Sequence, residues 1–397
     1  MKTSPRKALI IGSGIAGPAL ALFLQKAGIE SEIYEARPGP EDEAGAFLNL
    51  APNGMNVLKS LGIGQPVETG GFPVKGMMFF NGEGRRLGVV ENEGEADRFG
   101  SRSVVIKRGQ LQKVLREEVL RRNIPVHYGK KLTDIRPTGF QGVTAHFADG
   151  TTAEGDMLIG CDGIHSRTRR LTFPAAPEPS YTGLVDCGGF VRCHPALWSS
   201  GYMHMTFGKK AFFGYLAKPD GEVYWFSNVA VSDEPAEEER RAVPDGPWKD
   251  LLLERHGEDP EPIPAILRAM SSGIGRWPIY DLPSLPRWHK GPVCLIGDAA
   301  HATSPHAGQG ASLALEDAAV LARCLREVPD FEGAFALFQS RRRERVEKLV
   351  QQARRIGSRK AVTHPIALWF RDLILPFFLK RSAKSAAWVY AYKADAM

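Results

Sequence analysis

Short apolar runs alternate with amphipathic helical stretches along much of the chain. The runs Lys7–Ile11 and Ser31–Glu35 predict strands on either side of a helix that extends to about Lys26. Further on, the apolar run Val293–Ile296 precedes a helical pattern from about Ala311 to Leu325. Strands separated by helices are typical of an α/β fold built around a parallel sheet. Accessory strands are predicted at Val126–Tyr128, Val143–Phe147 and Met157–Ile159.

Two other stretches are rich in aromatic and β-branched residues and lack this helical alternation. Gly76–Phe80 and Leu87–Val90 predict a hairpin, because the Asn81-Gly82 pair between them is a turn signal. Later strands, separated by turn residues, are predicted at Met203–Phe207, Ala211–Leu216 and Val223–Val229. Together these strands predict a mainly antiparallel sheet inserted into the α/β fold.

A glycine-rich turn follows the first predicted strand. It reads Gly12-Ser13-Gly14-Ile15-Ala16-Gly17, and it lies between a strand and a helix, as a dinucleotide-binding turn requires. In such a turn Gly12 allows the sharp bend, Gly14 allows a pyrophosphate to approach, and Gly17 allows the helix to pack closely on the strand. Glu35 ends the second strand and is predicted to bind the adenosine ribose.

A second glycine-containing segment follows the strand at Val293–Ile296. Asp298 can accept hydrogen bonds from sugar or polyol hydroxyls, and Gly308 and Gly310 let main-chain N–H groups approach a flat ligand. The helix that begins near Ala311 directs its positive end toward this loop, which would stabilise an anionic ring. A reduced flavin, which carries negative charge near N1 and C2=O, satisfies these demands.

A third segment, Asp162-Gly163 with Arg169 following, completes a set of three motifs. With its spacing, the set resembles the group A flavoprotein monooxygenases, the family of p-hydroxybenzoate and salicylate hydroxylases. The resemblance implies that Arg108 and Asp298 contact FAD, and that the Asp162 segment serves both FAD and a transient nicotinamide. It also implies that Pro305 forms a main-chain wall beside the flavin C4a atom.

The resemblance implies a Rossmann-like FAD-binding domain that is discontinuous in sequence. Residues 1–72, 101–180 and 276–340 are predicted to form this domain, and residues 73–100 and 181–275 the substrate-binding domain. Residues 341–397 are predicted to be C-terminal helices, with an amphipathic helix near 366–380 that packs on the body of the protein. Flat attachment of that helix to a membrane surface is the alternative.

The activity that the resemblance implies is that of a single-component monooxygenase with tightly, non-covalently bound FAD. NAD(P)H reduces the flavin and O2 forms a C4a-hydroperoxide, which oxygenates an aromatic or polyketide-like small molecule. Because the chain has one Gly-x-Gly-x-x-Gly turn, the nicotinamide is expected to bind transiently. A flavin oxidase or dehydrogenase on the same fold remains the alternative.

Catalytic side chains are harder to choose from the sequence. Tyr215 and His204, on predicted strands of the antiparallel sheet, are the candidates for contact with a substrate hydroxyl. Alternation places Phe213 and Tyr215 on one face of their strand and Leu216 on the other. Which of these faces is directed toward the flavin cannot be deduced from the pattern.

Composition narrows the class of protein further. The chain has 397 residues, 43% hydrophobic content and a net charge of +6, as expected of a globular enzyme. Its basic residues lack the interleaved aromatics of a nucleic-acid site, no metal site is predicted, and no apolar run is long enough to span a membrane. Five scattered cysteines predict reduced thiols and a cytoplasmic location.

Overall fold

The computed structural model describes residues 6–42, 45–138, 142–193, 201–236, 245–360, 372, 374–377 and 387–394. Its strands, in chain order, are β1 (Lys7–Ile11), β2 (Glu30–Tyr34), β3 (Phe47–Leu50), β4 (Phe72–Pro73), β5 (Gly76–Asn81), β6 (Arg86–Glu91), β7 (Val104–Lys107), β8 (Val126–His127), β9 (Leu132–Pro137), β10 (Val143–Phe147), β11 (Thr152–Gly155), β12 (Met157–Gly160), β13 (Ser180–Arg192), β14 (Tyr202–Phe207), β15 (Phe212–Ala217), β16 (Glu222–Ala230), β17 (Gly275–Asp281), β18 (His289–Lys290) and β19 (Val293–Leu295).

Helices connect and cover these strands. In chain order they are α1 (Ala16–Lys26), α2 (Pro52–Ser60), α3 (Gly64–Gly70), α4 (Glu95–Phe99), α5 (Arg108–Arg121), α6 (Arg167–Thr172), α7 (Gly246–His256), α8 (Ile263–Ala269), α9 (Asp298–His301), α10 (Gly310–Glu327), α11 (Phe331–Lys360) and α12 (Ala387–Tyr390). A short 3₁₀ turn covers Pro305–Ala307.

A six-stranded sheet brings the three motifs to one edge. Its order is β18-β19-β12-β1-β2-β8, and all its pairs are parallel except β18 with β19. Ile11 of β1 lies opposite Gly160 of β12, which lies opposite Leu295 of β19. Because these strands end side by side, the segments that follow them meet at the carboxyl edge, where α/β sheets bind ligands. The predicted α/β fold is confirmed.

A seven-stranded sheet contains the inserted segments. Its order is β17-β13-β16-β15-β14-β5-β6, and its pairs are antiparallel except β14 with β5. The predicted hairpin is present, and the Asn81 carboxamide oxygen accepts from the N–H groups of Glu83 and Arg85 in its turn. The domain limits stay a prediction, although β17 pairs with β13 as far as Asp281, which favours a boundary beyond 276.

The two faces of the seven-stranded sheet pack on different partners. The inner face carries Leu216 and Tyr224, which cluster with Val105 of the small β3-β7-β4 sheet. The outer face carries Tyr215 and Trp225, which cluster with apolar side chains of α7 and α8. The inner face is therefore the one that lies toward the parallel sheet and its motifs.

The C-terminal segment contacts the body of the protein where it is described. Val389 is buried, and Tyr390 packs edge-on against Phe99 with ring centroids 5.7 Å apart. Most of the helix predicted near 366–380 lies outside the described residues, but Leu375 packs on an inner-face cluster with Leu87 and Phe207. Within the described part of the chain, no helix is long and apolar enough to cross a membrane.

All five cysteines are unpaired thiols. Cys161, Cys187, Cys294 and Cys324 are buried, whereas Cys193 is partly accessible at the end of β13. Burial raises the pKa of each of these thiols, because a thiolate is poorly solvated in apolar surroundings. The four buried thiols are therefore packing residues.

Candidate active site

The glycines of the first motif differ in what surrounds them. Gly12 has a φ of +105°, and a Cβ there would lie 2.6 Å from the carbonyl oxygen of Cys161. A Cβ on Gly17 would lie 2.0 Å from the carbonyl oxygen of Gly12. At Gly14, by contrast, the nearest atom would be the Gln112 amide nitrogen, 4.0 Å away. Gly12 and Gly17 are thus required by packing, whereas Gly14 borders open space, as a pyrophosphate needs.

Glu35 lies beside this turn, at the end of β2. One carboxylate oxygen accepts from the Ser13 N–H (2.7 Å), and the other accepts from the N–H of Arg37 (3.0 Å). Ser13, Glu35, Arg37, Gln112 and Tyr128 are among the residues that line a cleft open to solvent beside this turn. The predicted ribose contact of Glu35 is compatible with this position and stays a prediction.

Asp162 follows β12 and uses its carboxylate within its own loop. One oxygen accepts from the Ser166 hydroxyl (2.5 Å), and the other accepts from the N–H (2.9 Å) and hydroxyl (3.0 Å) of Thr168. The Asp162 main chain, however, borders the glycine turn, since its Cα would lie 3.1 Å from a Cβ on Gly12. A contact of Asp162 with a dinucleotide would therefore involve its backbone.

Buried Arg169 connects two of the motifs. Its guanidinium donates to the carbonyl oxygens of Ala299 (3.1 Å) and Ile164 (2.7 Å). Burial lowers the pKa of Arg169 because the cation is partly desolvated. These contacts fix the Asp162 segment against the turn that contains Asp298.

Asp298 begins the single helical turn α9, after Gly297 with a φ of +57°. Its side chain is exposed, although Ala299 and Ala300 beside it are buried. The surrounding protein raises the pKa of its carboxyl group, and the nearby Arg108 guanidinium opposes that shift. Arg108, itself exposed at the start of α5, thus lies near Asp298, and the predicted contact of both residues with FAD stays a prediction.

The loop after α9 contains polar atoms that the protein does not satisfy. In the described part of the chain, Thr303 Oγ1 and Ser304 Oγ of this loop, and Asn49 Oδ1 on β3, are buried side-chain atoms with no hydrogen-bond partner. Pro305 opens the 3₁₀ turn and Gly308 ends it with a φ of +61°, before Gly310 begins α10. Buried polar atoms ordinarily have partners, so these atoms are suited to a polar ligand such as a flavin ring.

The predicted catalytic pair faces away from this loop. The Tyr215 hydroxyl lies 3.0 Å from Nδ1 of His204, and the two residues are direct partners between β15 and β14. Tyr215 belongs to the outer-face cluster with Trp225, against α7 and α8. Burial lowers the pKa of His204 to about 4, so its ring is neutral near pH 7. This position disfavours contact between either side chain and a substrate near the flavin.

The inner face carries an aromatic side chain, Tyr224, that is not one of the two predicted catalytic residues. Tyr224 packs on Phe47 (centroids 5.6 Å apart) and on Phe190 (4.7 Å). Beside it, Glu222 accepts from the ammonium groups of Lys107 (2.7 Å) and Lys218 (2.9 Å). Burial, aided by the Glu222 charge, raises the pKa of Tyr224 to about 12. The signal that could have identified this face is the register between β15 and β16, which a single sequence does not give.

A buried ionic network behind the loop was also missed. Glu316 and Asp317, on α10, contact Arg342 and Arg345 of α11, with all nearest N–O distances at 2.7 Å. The available signal was the Glu-Asp pair in the middle of an otherwise apolar helical pattern. Adjacent acids at such positions indicate buried partners.

Comparison with known proteins agrees with these observations. The profile of the FAD binding domain family matches residues 6–353. The FAD-dependent urate hydroxylase of Klebsiella pneumoniae is 32% identical over 375 residues, which cover 92% of this chain and 94% of that protein. The aurachin C monooxygenase/isomerase of Stigmatella aurantiaca is 31% identical over 368 residues, which cover 92% and 93%.

A solved structure gives the same result. The crystal structure of Klebsiella pneumoniae HpxO complexed with FAD and uric acid superposes with a TM-score of 0.86 at 28% identity, over 97% of this chain and 96% of that one. The chain belongs to the FAD-binding domain family of flavoproteins. Within it, the protein is an FAD-dependent monooxygenase, as the three motifs predicted.

Proposed function

We propose that this monooxygenase uses NAD(P)H and O2 to hydroxylate, or otherwise oxygenate, a flat and largely apolar aromatic or polyketide-like molecule. The observation that carries the proposal is the inner face of the seven-stranded sheet. Around Leu216 and Tyr224 its partly buried side chains are aromatic rings and thioethers, namely Phe47, Phe72, Met77, Phe190, Met205 and Phe226. Such walls suit flat apolar ligands, and Met adapts to irregular shapes.

An aromatic substrate is also supported by the substrates named for proteins similar to this chain. They include the 6-hydroxynicotinate 3-monooxygenase of Pseudomonas fluorescens and the 3-hydroxybenzoate 6-hydroxylase of Klebsiella oxytoca. The apolar side chains of the inner face favour a less polar ring system for this chain than hydroxynicotinate or hydroxybenzoate. A hydroxyl or oxo group on the ring would lie toward the Tyr224 end of the wall, where the Tyr224 hydroxyl and the ammonium groups of Lys107 and Lys218 are the polar groups.

The chain's own residues would bind and orient the reactants. Bound FAD, once reduced, supplies the activation of O2 and the transfer of one oxygen atom. We propose that Gly14 admits the pyrophosphate, Glu35 binds the ribose, and Asp298 and Arg108 contact the cofactor chain and ring. Asn49, Thr303 and Ser304 would hydrogen-bond the polar edge of the ring, and the apolar inner face would exclude water from the reacting atoms.

The experiment that tests this function measures oxygen incorporation. Purified protein with NADH or NADPH is supplied with ¹⁸O2 and a panel of phenolic, heterocyclic and polyketide aromatics. The masses of the products are measured by mass spectrometry. The expected result is slow NAD(P)H oxidation alone, acceleration by the right substrate, and a product heavier by one ¹⁸O atom. Full-rate NAD(P)H oxidation without substrate, with stoichiometric peroxide and no oxygenated product, would instead indicate an oxidase.

Two tyrosine variants test the orientation of the sheet. Tyr224→Phe should lower the product formed per NAD(P)H consumed, because the inner-face hydroxyl no longer orients the substrate. Tyr215→Phe removes a hydroxyl of similar burial on the outer face, and it should leave coupling unchanged. FAD content, measured by absorbance, should be equal in both variants. Loss of coupling in Tyr215→Phe alone would restore the original assignment of Tyr215 and His204.

We also propose a cytoplasmic location. Five unpaired cysteines, four of them buried in the protein, are typical of a reducing compartment. Fractionation of cells that express a tagged full-length chain tests this location, and recovery with the membrane pellet would contradict it.

A further inference from the structure

The turn that presents Asp298 has little support of its own. Helix α9 comprises four residues, Asp298–His301, and so short a helix is not stable from its internal hydrogen bonds. No side-chain hydrogen bond caps it, and Gly297 before it has the left-handed φ of +57°. The position of Asp298 must therefore be fixed by contacts from other elements.

Asp317, a buried residue of α10, makes those contacts. One carboxylate oxygen accepts from the Gly297 N–H (2.9 Å) and from Nε2 of His301 (2.6 Å). A single oxygen thus holds the residue immediately before Asp298 and the last residue of the turn. The Asp317 side chain is fully buried, so these bonds do not compete with water.

The other Asp317 oxygen is held by the network behind it. It accepts from Nε of Arg342 (2.7 Å), and Arg342 also donates to Glu316 (2.7 Å). Glu316 is contacted in turn by Arg345, which donates to the carbonyl oxygen of Val389 in the C-terminal segment (2.8 Å). Burial alone would raise the pKa of Asp317, but His301, Arg342 and the Gly297 N–H lower it to about 2, so the carboxylate stays ionised at neutral pH.

Burial of such a network is expensive, because each charge loses its hydration. Similar packing between α10 and α11 could be achieved with apolar residues, so packing alone does not account for the charges. We propose that Asp317 is a positioning residue for cofactor binding. It fixes Gly297 and His301 so that the Asp298 carboxylate faces the cofactor, although Asp317 itself contacts only protein.

The sheet domain provides a matched control. Asp259 is also buried, and it accepts from a histidine, Nδ1 of His256 (2.7 Å), and from a main-chain N–H, that of Lys209 (3.1 Å). His256 in turn contacts the Ser227 hydroxyl (2.7 Å), in the helix-covered outer part of the sheet. Asp317→Asn and Asp259→Asn therefore make the same chemical change at a buried aspartate that holds a histidine and a main-chain N–H, with Asp317 bound to Arg342 in addition. Only Asp317 lies behind the cofactor loop.

The experiment measures the FAD dissociation constant of the full-length apoprotein by flavin fluorescence, together with the melting temperature of the apoprotein. Asp317→Asn should raise the dissociation constant about tenfold to hundredfold, the effect of weakening a charged hydrogen bond. Asp259→Asn should lower the melting temperature about as much as Asp317→Asn does. Its FAD dissociation constant should stay within about twofold of the wild-type value. Equal losses of affinity in both variants, or no loss in Asp317→Asn, would overturn the proposal.

A second pair of variants keeps the test decisive if Asp317→Asn does not fold. The amide of His301→Gln can still donate to Asp317, whereas His301→Leu cannot. FAD affinity should be close to wild type in the first variant and reduced about tenfold in the second. Equal affinity in the two variants would show that His301 only fills space, and the proposal would fail.

Discussion

Asp298 is the exposed acid of the site, and its role can be tested directly. Asp298→Ala should weaken FAD binding by about 1–3 kcal/mol, because hydroxyl groups of the cofactor lose their acceptor. Reconstitution of the apoprotein with FAD, followed by fluorescence, measures this change. Asp298→Asn is the control, since it keeps one acceptor oxygen and should retain part of the affinity. FAD retention that is unchanged in Asp298→Ala would remove Asp298 from the site.

Individual residues were predictable from the sequence where the backbone dictates the residue type. Gly12 and Gly17 have no room for a Cβ, so the local backbone requires glycine at both positions. Tyr215 and Tyr224 have no such constraint, and both fit an aromatic strand. The choice between them depends on which face of the sheet packs on α7 and α8, a contact between distant parts of the chain. The inner face could therefore be recognised only in three dimensions.

Two glycines in the turn between β1 and α1 allow the effect of an added methyl group on stability to be separated from its effect on FAD binding. Gly17→Ala places a Cβ where the Gly12 carbonyl oxygen lies, so α1 must move away from β1. We expect a loss of stability of about 1–3 kcal/mol, as for overpacked cores, and weakened FAD binding. Thermal unfolding of the apoprotein measures the first effect.

Gly14→Ala is the matched variant within the same turn. Its Cβ would meet no protein atom closer than 4.0 Å, so the melting temperature of the apoprotein should not fall. FAD affinity should still fall, because the methyl group occupies the space assigned to the pyrophosphate. A stable Gly14→Ala protein with wild-type FAD affinity would contradict that assignment.

Secondary structure elements were predicted well where the apolar pattern is strong. The strand predicted at Lys7–Ile11 has those bounds, and the helix predicted at about Ala311–Leu325 extends over Gly310–Glu327. The order of strands within each sheet was not predictable in this way. The parallel pairing of β14 with β5, for example, joins segments more than 100 residues apart in sequence, and periodicity contains no information about such contacts.

At the scale of the whole molecule, the C-terminal segment is connected to the cofactor loop through Arg345. A chain that ends at Gly357 loses the buried Val389 and the carbonyl group that Arg345 contacts. We expect a lower melting temperature and weaker FAD binding, because Arg345 and Glu316 become accessible to water. A truncated protein of full stability that only loses sedimentation with lipid vesicles would favour the membrane-surface alternative. A chain that ends at Ala394 is the control, and its stability should match the full-length protein.

The distribution of thiols gives the protein a built-in position for a spectroscopic label. Cys193 is the accessible cysteine of the five, and its main chain is anchored by a bond from its N–H to the Gly221 carbonyl oxygen (3.0 Å). A maleimide dye should therefore attach at one place on the seven-stranded sheet without engineered substitutions, most readily at alkaline pH because the thiol pKa is raised. Energy transfer between that dye and the flavin would then follow movement of the sheet relative to the cofactor during turnover.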